Sequence, residues 1–216
     1  MIKILNHTMK DPISFMGLAA GACWNADVSD SERNYKRGLD CIKSDHGRVE
    51  EYPDVYFIIE GYSARVLREF MRHVGDGLTC LQESTRYVNE SGFTYVTPNM
   101  SEDATDIYKA AMRSINSYYN ELLAYGVKKE DAAMILPLGM TTKVVYKKNL
   151  RNLAEMSHKR LCMRSYWEFR GLMHDIMNEL SCYSNEWKTV VDILFKPQCE
   201  ILNKCPEKQS CGRFFK

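Results

Sequence analysis

Short β-branched runs are scattered among longer helical segments that each carry their own start and stop signals. The spacing is irregular, and this constrains the fold most. An even strand–helix–strand series would build a parallel sheet, whereas unevenly mixed elements build an α+β domain. Ile2–Leu5, Asp54–Glu60, Phe93–Thr97 and Thr141–Tyr146 read as strands, rich in Val, Ile, Tyr and Phe. Such residues suit a pleated, half-buried surface. Gly61 is expected to break the second strand and Pro98 to close the third. Helices are predicted over Pro12–Cys23, with Asp11 as cap, and over Ser31–Ser44, with Asp30 or Ser31 as cap. Ser63 caps a helix to about His73, with Val66, Leu67 and Phe70 on its apolar stripe. Ser101 caps the clearest helix, which runs to Tyr125 and stops at Gly126; its stripe is Ile107, Ala111, Ile115, Tyr118 and Leu122. Shorter helices follow over Lys128–Met134, Asn149–Arg160, Ser165–Leu180 and Glu186–Phe195. The reading is one α+β domain over residues 1–216, with an irregular Cys-containing tail from about 197.

Composition narrows the function classes. Of the 216 residues, 45% are hydrophobic and 26% charged, which excludes a disordered chain. A formal charge of +1 does not point to nucleic acid or an anionic membrane. No apolar run is long enough to span a bilayer, and the start lacks the apolar region of a signal peptide. A cytoplasmic protein with reduced cysteines is therefore expected. The sequons at Asn6, Asn89 and Asn99 are then chance matches.

The near-neutral total averages out a local excess. Between Lys147 and Arg170 stand seven lysines and arginines against Glu155 and Glu168. Arg65, Arg68 and Arg72 form a second helical set, followed by His73. A guanidinium is a planar fork that binds phosphate bidentately. Two arginine-bearing helices favour a phosphate-bearing small ligand over a merely solvated basic face. The usual glycine-rich, zinc-protease and serine-nucleophile motifs are missing, and Gly75-Asp-Gly77 is a weak signal. His7, His46, His73, His158 and His174 lack metal-ligand spacing.

Residues Glu69–Tyr87, EFMRHVGDGLTCLQESTRY, combine an Arg-His pair, a loop and Ser-Thr-Arg-Tyr. This resembles the signature of the flavin-dependent thymidylate synthases: Arg-His-Arg, seven residues, then Ser-x-Arg-Tyr. Here Val74 stands for the second arginine and nine residues separate it from Ser84, a two-residue insertion at the Gly75-Asp-Gly77 loop. Further blocks resemble the family in the right order: His46–Tyr52 before a strand, Asn149-Leu-Arg-Asn-Leu153 at a helix start, and Lys159–Arg170 with its Trp-Glu-Phe-Arg ending. Together they span residues 46–170.

The resemblance implies a small, mainly antiparallel sheet packed against long helices. It implies a homotetramer with shared active sites, using FAD, with NADPH and methylenetetrahydrofolate as co-substrates, to convert dUMP to dTMP. It assigns dUMP binding to Glu69, Arg72, Gln82, Glu83, Ser84, Thr85, Arg86, Arg151 and Arg170. Arg170 is also the catalytic candidate, a fixed cation that polarises the uracil ring. The bland alternative for Arg170 is an ion pair with Glu155 or Glu168. For FAD the resemblance implies His46, Arg48, Glu51, Arg72, His73, Val74, His158, Arg160 and Arg164. No adjacent base for Ser84 is evident in the sequence, so Ser84 is assigned to binding and not to nucleophilic attack.

Val74 and the insertion leave two other outputs open: a related pyrimidine nucleotide hydroxymethylase, and a non-catalytic nucleotide-binding homo-oligomer. Cys199, Cys205 and Cys211, with Cys162, are candidate metal ligands only on composition. Each tail gap is five residues, outside common zinc spacing, so no metal is expected and free thiols or a structural clasp are favoured.

Overall fold

The computed structural model describes residues 1–75 and 79–214. Elements run β1 (Ile2–Ile4), α1 (Pro12–Cys23), α2 (Ser31–Lys43), β2 (Asp54–Ser63), α3 (Ala64–Phe70), β3 (Thr79–Gln82), α4 (Glu102–Ala124), α5 (Lys129–Ala132), β4 (Thr141–Asn149), α6 (Leu150–Arg160), α7 (Trp167–Tyr183), α8 (Asn185–Leu194) and α9 (Gln198–Leu202). The strands form one antiparallel sheet in the order β1-β2-β4-β3. This is an α+β fold. The chain divides into two compact units, one of Met1, Ile59–Arg72 and Cys80–Val145, the other of Ile2–Ile58, His73–Thr79 and Tyr146–Lys216. No helix among the described residues is long and apolar enough to cross a membrane.

In the second unit α1 and α2 cross with their backbones touching. A Cβ on Gly17 would lie 1.7 Å from the Asn34 carbonyl oxygen, and one on Gly38 would lie 1.9 Å from that of Ile13. Only glycine permits this approach. Asp30 caps α2 as expected, accepting from the backbone N–H groups of Glu32 and Arg33. Asp11 makes no side-chain cap on α1. Glu186, in the first turn of α8, takes that role from afar: its carboxylate accepts from the N–H groups of Ile13 (2.7 Å) and Ser14 (2.9 Å) and from the Ser14 hydroxyl (2.5 Å). A negative charge at a helix start satisfies otherwise orphaned donors and complements the helix dipole. Glu186→Ala should therefore destabilise the protein by about 2 kcal/mol, whereas Asp11→Ala should change little. Thermal unfolding of both variants checks this, and equal shifts would refute it. The core around these helices includes Trp187, Phe169, Leu172, Ile176 and Leu180, all fully buried. The Trp187 indole donates to the Met9 carbonyl at 2.8 Å.

In the first unit, β2 does not end at Gly61. Gly61 takes a φ of +82°, and the strand continues to Ser63. Ser63 then caps α3 through the N–H of Val66, and Val66, Leu67 and Phe70 are buried as their spacing predicts. The helix stops at Phe70, short of His73. Phe93–Thr97 forms no strand; only Tyr95 makes an isolated bridge, to Met140. The fourth strand is instead β3, just before the Ser84 turn. Asp76 and Gly77, part of the loop singled out in the sequence, lie outside the described residues.

The apolar stripe of α4 is displaced from its predicted position. Met112 and Tyr119 are buried, while Ile107 is 73% exposed and Tyr118 60%. One residue along a helix rotates the facing direction by about 100°, and α4 carries apolar residues on more than one face. Periodicity names the candidate stripes but does not choose among them. Tertiary hydrogen bonds mark the chosen face: the Tyr108 hydroxyl donates to the Val96 carbonyl, and the Tyr119 hydroxyl accepts from the Glu90 N–H. The tail after Pro197 also differs from expectation, because α9 adds a short helix before it becomes irregular.

Candidate active site

The candidate residues fall into one group in each unit. In the first unit, α3 carries Glu69 in its last turn and is followed by the exposed Arg72, and the Glu69 carboxylate stands 3.9 Å from Arg65. β3 leads into a tight turn built on Ser84. The Glu83 N–H donates to the Lys143 carbonyl, fixing the end of the strand on β4. The Ser84 carbonyl accepts from the N–H groups of Tyr87 and Val88, and its hydroxyl oxygen accepts from the Arg86 N–H at 3.3 Å. That local bond leaves the hydroxyl proton to donate to a ligand. Arg86 is steered by Glu130, whose carboxylate lies 2.9 Å from its Nε, and its guanidinium lies 5.7 Å from the Tyr87 ring centroid. The turn thus gathers Ser84, Thr85 and Arg86, while Gln82 remains exposed on β3.

In the second unit, Glu51 bridges two arginines. One carboxylate oxygen meets Arg48 at 2.9 Å and the other meets Arg151 at 2.7 Å. Hydrogen bonding from Arg48, then from Arg151, holds the Glu51 carboxyl below the usual carboxylate range. Arg151 also reaches Glu155, at 3.3 Å, on the next turn of α6. Asn149 caps that helix, accepting from both the N–H and the side-chain amide of Asn152. His46 and Arg48 line a cleft of about 450 Å³ together with Trp24, which is 63% exposed.

His73 and Arg160 also meet in this unit. The Arg160 Nε donates to the His73 Nε2 at 2.9 Å, which puts the ring proton of a neutral His73 on Nδ1. The Arg160 guanidinium stands 4.5 Å from the Phe169 ring centroid, and the His73 ring meets the same phenyl edge-on at 5.9 Å. Lys148, fully buried on β4, donates to the His73 carbonyl at 2.7 Å. Val74, beside His73, is half exposed.

Arg170 forms no pair with Glu155 or Glu168. Its Nη1 donates to the Met163 and Ser165 carbonyls, at 3.0 and 3.1 Å, and so pins the turn between α6 and α7. Two further candidates each give a donor to a backbone carbonyl. His158 donates to the Leu194 carbonyl at 3.1 Å, and burial pushes its pKa down. Arg164 donates to the Gln209 carbonyl in the tail, at 3.1 Å. Sequence reasoning missed Trp24, Glu130 and Lys148. A lysine in the buried register of β4, beside Thr142, Val144 and Tyr146, was the one available signal.

Each unit of this α+β protein gathers its own donors: a hydroxyl and a guanidinium at the Ser84–Arg86 turn, and an imidazole and a guanidinium at His73 and Arg160. Comparison with known proteins gives the family. The family model described as thymidylate synthase complementing protein matches residues 3–182. A flavin-dependent thymidylate synthase of Geobacter sulfurreducens is 31% identical over 229 residues, covering 98% of this chain and 94% of the relative. That of Nitratidesulfovibrio vulgaris is 27% identical over 245 residues, covering 99% and 94%. That of Thermococcus onnurineus is 31% identical over 220 residues, covering 95% and 89%. The chain belongs to the thymidylate synthase complementing protein family.

Proposed function

We propose that the protein is a flavin-dependent thymidylate synthase. It converts dUMP to dTMP, takes its one-carbon unit from methylenetetrahydrofolate and draws on NADPH through FAD. The observation that carries this reading is the Ser84–Arg86 turn, where the Ser84 hydroxyl oxygen accepts from the Arg86 N–H and Glu130 holds the Arg86 guanidinium. Those donors suit the dUMP phosphate, with Glu69, Arg72, Gln82 and Glu83 on the flanking segments. In the second unit, Arg151 and Arg170 are assigned to dUMP by the family resemblance alone. Arg170 stabilises negative charge on the pyrimidine, and its two carbonyl bonds fix the cation beforehand, as electrostatic catalysis requires.

The donor chemistry of the second unit fits a flavin dinucleotide. Arg48 and Arg160 suit a pyrophosphate, and Trp24 and His46 offer aromatic surface beside Arg48. We assign His46, Arg48, Glu51, Arg72, His73, Val74 and Arg160 to FAD. His158 and Arg164 belong to the same proposed set; each gives one donor to a backbone carbonyl, of Leu194 and Gln209, and carries further ring or guanidinium nitrogens. FAD, when bound, supplies redox chemistry that no side chain has. The protein's own part is to bind and orient.

We also read the whole chain as one family domain with a Cys-containing tail, working in the cytoplasm as a homotetramer. Support for self-association comes from α4, where Ile115, Tyr118, Leu122, Tyr125 and Ile135 line an open apolar groove of about 370 Å³. An absorbance titration of the purified protein with dUMP tests the function, and sedimentation of the same sample tests the assembly. The expected result is a flavin band perturbed by dUMP, with dTMP released only when NADPH and methylenetetrahydrofolate are present, and a tetramer mass. A colourless protein that FAD cannot reconstitute would overturn the catalytic reading. A hydroxymethyl product would identify the related activity, and a monomer mass would refute the assembly.

A further inference from the structure

The tail beyond Leu202 poses a physical problem. Its described residues form no helix or strand, and every one of them from Asn203 to Phe214 is exposed except Cys205 and Phe214. A segment with so little apolar burial has little to offset the entropy of ordering it. Its main side-chain ties to the body are a bond from Arg164 to the Gln209 carbonyl and an ion pair of Arg213 with Glu200 at 3.3 Å. Yet the tail closes over a cavity of about 90 Å³, and four cysteines line it: Cys162 after α6, Cys199 on α9, and Cys205 and Cys211 on the tail. All four are free thiols.

We propose that Cys162, Cys199, Cys205 and Cys211 form a structural zinc site that staples the tail to the end of α6. Four sulfur ligands are the complement of a closed tetrahedral zinc centre. Binding releases a proton from each of the four thiols, and the resulting tetrathiolate centre carries a double negative charge. Lys159, Arg164 and Arg213 line the same cavity and offset that charge. The five-residue gaps argue against zinc when the tail is read alone. Tertiary structure changes the argument, because it places Cys162, from a different segment, on the same cavity as the three tail cysteines.

Among the described residues no three ligand side chains are gathered closely enough to hold one metal ion. Binding must therefore draw the thiols together. The tail is built for that adjustment: Cys211 is exposed, and Asn203 (φ 51°) and Gly212 (φ 95°) take turn conformations on either side of Cys205 and Cys211. Zinc binding and tail ordering are then one event.

The test uses the full chain, expressed with zinc and purified under reducing conditions, and does not depend on thymidylate synthesis. Elemental analysis is expected to find about one zinc per chain. Cobalt substitution should give thiolate-to-metal charge transfer and tetrahedral d–d bands. Cys205→Ser and Cys211→Ser should each lower zinc content roughly tenfold or more, with unchanged far-UV circular dichroism. Cys23→Ser and Cys182→Ser, at exposed thiols outside the cavity, should leave it unchanged. A chelator should speed tryptic cleavage at Lys204 and Lys208 in the parent protein. Absence of stoichiometric zinc in the parent, or full retention in Cys205→Ser and Cys211→Ser, would overturn the proposal.

Discussion

Arg170→Ala is expected to lower dTMP formation by about 10²–10³-fold, the usual cost of removing one preorganised group that stabilises transition-state charge. The side chain leaves the first turn of α7, and its Nη1 is held by the Met163 and Ser165 carbonyls. Those bonds spend one nitrogen on the protein and fix the direction of the remaining donors. Removing the guanidinium therefore has two consequences. The cation is lost from the proposed pyrimidine site, and the turn between α6 and α7 loses its tie, at about 1–2 kcal/mol for a half-buried charged hydrogen bond. Arg170→Lys separates them. Lysine restores a point charge without the planar fork, so it should recover part of the rate while leaving the turn loosened. Turnover and dUMP affinity, measured for both variants with FAD bound, decide the matter. Turnover within threefold of the parent in Arg170→Ala would leave Arg170 with only its structural role.

Glu50→Gln is expected to stabilise the protein by about 2–3 kcal/mol at pH 8 and by almost nothing near pH 4.5. Glu50 is 7% exposed, beside the half-buried Glu51. Burial raises its pKa to about 7, Asp45 and Glu155 raise it further and Arg151 opposes them. The sign follows from linkage. A carboxyl whose folded pKa exceeds its unfolded value of 4.5 binds more protons in the folded state. It costs nothing below the lower value, and the penalty grows as pH rises to about 7. The amide cannot ionise, so it escapes the penalty. Glu51 works in the opposite direction, but its arginine partners hold its pKa low, so it stays ionised through most of this window. Urea unfolding at fixed protein concentration, at pH 5 and pH 8, measures the difference. An equal effect at both pH values would show that Glu50 carries no such penalty.

Local elements were legible where a short-range signal decides the outcome. Ser63, Ser101, Asn149 and Asp30 all cap the helices that follow them, because a side-chain oxygen meets an N–H two or three residues on. The Val66, Leu67 and Phe70 stripe is buried for the same local reason. Readings failed where a distant partner decides. Asp11 looked like the cap of α1, but Glu186 occupies its donors. Phe93–Thr97 has strand composition but only one bridge partner, and β3 pairs with β4 in its place. Of the proposed site residues, Ser84 and Arg86 meet within the first unit and His73 and Arg160 within the second, while His158 and Arg164 each give a donor to a backbone carbonyl.

By itself, the sequence determined the fold class, most helix starts and the family resemblance carried by its motif blocks. Each of these depends on residue order over a short span. Only tertiary structure decided which face of α4 is buried, which acid caps α1, and that Cys162 joins three tail thiols around one cavity. Those outcomes depend on which distant groups arrive within a few ångströms, and a one-dimensional pattern does not encode that distance.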